Sequence, residues 1–79
     1  MLSTMHTRSR STGDRVRGAL ATAGIKQVEA AAELGISQPA LSRRIAGWVR
    51  WRDGELELIA VMCGVPGESL LPEPAEAVA

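Results

Sequence analysis

Residues 38–46 read QPALSRRIA and gather Gln38, Ser42, Arg43 and Arg44 into one short span. At the helical period of about 3.6 residues per turn, Leu41 and Ile45 fall on one side, and Trp48 follows them. Gln38, Pro39, Ser42 and Arg43 fall on the other side, with Arg44 on the flank. A carboxamide offers a donor and an acceptor side by side, and a guanidinium offers a planar fork of donors. These groups match the paired edges of bases in a duplex major groove: Gln to adenine, Arg to guanine, Ser to either. Pro39 and Ala46 are slim enough to let a backbone approach closely and can meet a thymine methyl group. Arg17, Lys26, Arg44, Arg50 and Arg52 suit phosphates, which fix position without reading sequence.

Such a set works only if a scaffold aims it. Gly35 breaks the chain between two helical patterns, and a positive φ there makes a tight turn. Ser37 is a good N-cap for the second pattern. Pro39 falls in its first turn, where a missing N–H costs nothing. Ile36 before the cap and Leu41 at the fourth helical position can form a hydrophobic staple. The spacing therefore predicts a helix-turn-helix, with one helix over residues 27–34 and the other over 38–46. Lys26 stands where an N-cap is needed, and lysine is a poor cap.

The flanking segments follow the same rules. Val16, Leu20 and Ala23 stripe a helix over residues 12–23, capped by Ser11, Thr12 or Asp14 and stopped by Gly24. Asp53 is placed to cap a further helix over residues 53–63, with Leu56, Ile59, Ala60 and Cys63 as its inward stripe. Leu58, Val61 and Met62 form a second apolar strip on that helix. Together with Leu70 and Leu71 they exceed what one small core needs and make a candidate dimer interface. Trp51 is expected to plug the core; Trp48, just past Gly47, could pack against a sugar–phosphate strand, but burial is the expected role for it as well. The domain is expected over residues 12–72. A basic arm over 1–11, which could follow a minor groove, and an acidic tail over 73–79 are expected to be flexible.

The chain has 79 residues, with no Phe or Tyr and two Trp. A domain of that size buries only about 60% of its unfolded surface. Ala, Leu, Val and Ile must supply the core, which favours packed helices over a sheet. The zero net charge conceals a division: residues 1–52 carry nine bases and three acids, and residues 53–79 carry six acids and no base. A basic half of +6 against an acidic half of −6 points to a polyanionic partner. One cysteine, Cys63, rules out an internal disulfide framework and fits a cytoplasmic setting. No stretch approaches the ~20 apolar residues of a membrane span. The only histidine is His6, and no Gly-rich phosphate loop or metal-ligand cluster is present, so an enzyme is not expected. No cofactor, metal or small-molecule ligand is implied.

The segment QVEAAAELGISQPALSRRIAG, residues 27–47, resembles the helix-turn-helix of lambda-repressor-like, Cro- and XRE-type DNA-binding domains. The match lies in Gln27, Ala31, Leu34-Gly35-Ile36, Ser37-Gln38, Leu41 and Gly47. ELELIAVMCGV, residues 55–65, resembles that family's next helix, through Leu56, Ile59, Ala60, Gly64 and Val65. The resemblance covers about residues 16–71 and is closest to the small phage members. It implies an all-α, compact bundle of about five helices, acting as a transcriptional repressor and often as a homodimer on a double-stranded operator. It carries base reading to Gln38, Pro39, Ser42 and Arg43, and backbone contact to Gln27, with Ser37 beside it. Members commonly bury a residue where this chain has Arg44. Here the apolar residue is Ile45, one step later, so the choice between Arg43 and Arg44 as base reader stays open. The competing reading is a protein-interaction module or antitoxin-type regulator that uses the strip on residues 53–63.

Overall fold

The computed structural model describes residues 11–71, so the expectations for the arm (apart from Ser11) and for the tail lie outside the described residues. Ser11 is the N-cap of α1, Thr12–Ala23, and its hydroxyl accepts the Asp14 N–H at 3.1 Å. Three further helices follow: α2, Gln27–Leu34; α3, Gln38–Ala46; and α4, Glu55–Cys63. A 3-10 turn over Gly67–Leu70 closes the described chain, which holds no strand. The expected bundle of about five helices is thus four α-helices and one short turn among the described residues.

Lys26 does precede α2, and the helix start is satisfied from the other side. Glu29, in the first turn, reaches back and accepts the Lys26 N–H at 2.8 Å. This is half of a capping box: it satisfies the N–H of Lys26 itself, while the Glu29 N–H turns to the Lys26 carbonyl at 3.0 Å in place of a capping side chain. The start of α4 differs from expectation. Asp53 is exposed and caps nothing; the residue before the helix is Gly54, at φ 85°, and helical structure begins at Glu55. The Glu55 carboxylate accepts the Arg52 N–H at 2.7 Å, which anchors the loop leading into the helix that Asp53 was expected to cap.

All four α-helices end alike. Gly24, Gly35, Gly47 and Gly64 each take a left-handed conformation. The residue after each glycine donates its N–H to the carbonyl five residues earlier: Ile25 to Leu20, Ile36 to Ala31, Trp48 to Arg43 and Val65 to Ala60, at 2.9–3.0 Å. This double closure satisfies carbonyls that the helix leaves open.

The core is Val16 and Leu20 from α1, Ala30 and Ala31 from α2, Leu41 and Ile45 from α3, Ile59 and Ala60 from α4, and Leu70. Helix α1 packs against α3, α4 and the closing turn, while α2 packs against α3 and α4. Trp51 packs on this core as expected, together with Ile25, Leu34, Ile36, Leu56, Met62 and Val65. Helices α1 and α3 meet without room for a side chain between them. Gly13 is buried, and a β-carbon placed there would lie 1.8 Å from the Ile45 carbonyl oxygen. The start of α1 thereby rests on the last turn of α3.

Two glycines on α1 separate packing from propensity. Gly13→Ala forces α3 away and should cost about 1–3 kcal/mol. Gly18 has nothing within 4 Å of a β-carbon, so Gly18→Ala should gain up to about 1 kcal/mol from helix propensity. Urea unfolding of both variants measures the difference.

Candidate nucleic-acid interface

Helix α3 has two unlike faces. Leu41, Arg44 and Ile45 are buried, and Gln38, Pro39, Ser42 and Arg43 are exposed. The exposed four are held by a helix anchored at both ends. Its start is fixed by Ser37, whose hydroxyl accepts the Ala40 N–H at 3.2 Å. Its end is fixed by Gly47 and by the Gly13 contact. Ile36 lies half-buried against the core beneath the turn.

Gln27 and Gln38 are joined across that turn. The Gln38 Nε2 donates to Gln27 Oε1 at 3.2 Å. One amide hydrogen and the carbonyl of Gln38 remain available, as do both amide hydrogens of Gln27. The bond orients Gln38 while leaving it a donor and an acceptor to offer outward. Lys26 is exposed next to Gln27.

Arg44 stands elsewhere than expected. It is 6% exposed, and its Nε donates to Glu55 Oε1 at 2.9 Å. Its Nη1 also donates to the Ala40 carbonyl, at 3.4 Å. A guanidinium placed there has no phosphate within reach, so the expected backbone contact by Arg44 is withdrawn. The buried face has not rotated to Ile45; it holds Arg44 and Ile45 together. Arg43 alone of the pair faces outward. Helical period alone does not reveal this, because the partner carboxylate lies eleven positions away, beyond a loop.

The same carboxylate oxygen takes the Arg52 N–H, so Glu55 ties α3 to the end of the loop over residues 47–54. That loop runs between two glycines of positive φ and carries Arg50 and Arg52 into solvent. Arg17 is also exposed, on α1, and pairs with Asp14 at 3.1 Å. An exposed pair of that kind contributes little to stability. No contact joins Arg17 to the α3 face.

Trp48 is 79% exposed, against the expectation of burial. The apolar strip on α4 divides. Leu58, Val61 and Leu71 are 37%, 76% and 48% exposed, whereas Leu70 is core at 1% and Met62 is packed against it. Leu70 and Met62 therefore leave the candidate dimer surface. Burial raises the pKa of the Cys63 thiol, which suits a packing residue better than a nucleophile. Among the described residues no group of His, Cys, Asp and Glu is gathered to hold a metal, and no helix is long and apolar enough to cross a membrane.

No family model matches the chain, and no curated protein matches it.

Removing one partner of a buried ion pair strands the other charge. Glu55→Ala should therefore cost about 3 kcal/mol or more, and pairing Arg44→Met with Glu55→Leu should recover most of the loss. Thermal unfolding of the single and double variants checks both.

Proposed function

We propose that the chain binds double-stranded DNA sequence-specifically and acts as a transcriptional repressor of the small phage type. In this reading α2 and α3 form a helix-turn-helix, and α3 lies in the major groove. The observation that carries it is the exposed row Gln38, Pro39, Ser42 and Arg43 on a helix whose other face is core, with Gln38 oriented by Gln27. Gln38 would pair with adenine, Arg43 with guanine, and Ser42 with either. Lys26, Gln27, Ser37, Arg50 and Arg52 would meet phosphates, which position the helix and make binding salt-dependent. Arg17 would join them by releasing Asp14.

A second copy would join through Leu58, Val61 and Leu71, the exposed apolar residues at and after α4. A two-fold dimer sets its reading helices about 34 Å apart and calls for a palindromic site. The same exposed residues favour a second reading, in which this surface holds a different protein, as an antitoxin holds a toxin.

Selection from a random duplex library at physiological salt tests the reading. An inverted repeat with half-sites about one helical turn apart is expected. A pool with no enriched sequence would remove sequence-specific binding. On the selected site, Arg43→Ala should cost about 1–3 kcal/mol and relax one base position. Arg50→Ala should weaken all duplexes alike and lower the salt slope by about one. Equal effects of the two changes on every duplex would contradict this division.

A further inference from the structure

The four helix ends share one backbone geometry, yet they deliver their following residue to different places. Ile25, Ile36 and Val65 are half-buried and packed against the core. Trp48 is 79% exposed. The closure itself explains the difference. It brings the residue after the glycine beside the residues that stand five and six positions before it. For Ile25 those are Leu20 and Ala19, for Ile36 Ala31 and Ala30, and for Val65 Ala60 and Ile59, all buried or packed on the core. For Trp48 they are Arg43 and Ser42, both exposed. The Trp48 N–H donates to the Arg43 carbonyl at 2.9 Å. The helix end that closes α3 thus sets Trp48 beside exposed rather than core residues, and it borders an open groove with Ser11, Thr12, Gly13 and Arg50.

We infer that Trp48 is a contact residue of the α3 face and packs against the sugar–phosphate strand that borders the groove. This rests on the DNA reading. Charge decides the occupant: Arg50 lines the same groove as the indole, and Arg43 and Arg52, five and four positions away along the chain, are exposed as well, so the matching surface is polyanionic. A deoxyribose ring offers the apolar patch an indole face requires, and the adjacent phosphate can accept the indole N–H. A strand contact of this kind carries no base information and no charge. Trp48 therefore adds affinity without sequence preference and without counterion release.

That combination separates Trp48 from the cationic phosphate contacts and from the base-reading residues. Trp48→Ala is measured in the full chain against a short random-sequence duplex at low salt and against the duplex recovered by selection. Affinity for both should fall about five- to tenfold, the lower end of aromatic contacts to nucleotides. The dependence of log K on log[salt] should keep its slope, and the thermal unfolding midpoint should not move. In a Trp51→Phe background Trp48 is the single indole, and its emission should be quenched on adding either duplex. Unchanged affinity with unchanged emission would overturn the inference while leaving the DNA reading intact. A shallower slope would also overturn it, because the loss would then be electrostatic. Emission that responds to vesicles of anionic phospholipid and not to duplex would reassign Trp48 to a lipid surface. An unaltered chain that binds neither duplex would defeat the DNA reading itself, a result distinct from the others.

Discussion

One oxygen atom, Glu55 Oε1, joins α3 to the loop that follows it. It accepts from Arg44 Nε at 2.9 Å and from the Arg52 backbone at 2.7 Å. The first bond fixes the inner face of α3, and the second fixes the end of the loop that follows it. A buried ion pair is a weak source of net stability, since desolvating two charges offsets much of their attraction. Its contribution here is registry. The loop with Arg50 and Arg52 is joined to the helix with Gln38 and Arg43 through a rigid intermediary, so the two present one surface. Apolar residues in the same places would fill the volume and leave the Arg52 N–H without its partner.

The rest of the core is arranged around small residues. Ala30 and Ala31 let α3 lie close to α2, and Gly13 lets α1 lie close to the end of α3. With no Phe or Tyr in the chain, close approach of backbones substitutes for bulky side chains. The consequence is intolerance: where two helices touch through a hydrogen atom, one methyl group has nowhere to go.

Local rules were enough to read the helices, because each boundary is set by a residue with a local mechanism. Ser11 and Ser37 cap, and Gly24, Gly35, Gly47 and Gly64 stop. Where an acceptor came from a residue not considered, the reading missed: Glu29 serves Lys26, and Glu55 serves the loop ahead of α4, so Asp53 stays idle. The exposed face of α3 was legible from helical period alone. Arg44 was not, because period cannot say that a carboxylate eleven residues on will follow it inward. Leu70 was misjudged because a 3-10 turn turns neighbouring side chains in different directions, sending Leu70 into the core and Leu71 out. Trp48 was misjudged because a large indole reads as core material. The exposure expected for Arg43, five positions earlier, was the clue to where it would go.

That last point bears on how such a chain can change over generations. The closure at Gly47 forms between backbone atoms, so it places no demand on the side chain at 48. Most positions that touch a partner also support the fold, and altering them trades stability against activity. Position 48 is released from that trade. An aromatic, a cation or a small polar group can occupy it while Leu41, Ile45 and the Arg44–Glu55 pair stay as they are. If Trp48 meets DNA as proposed, affinity can drift there by single substitutions, each leaving a folded protein behind.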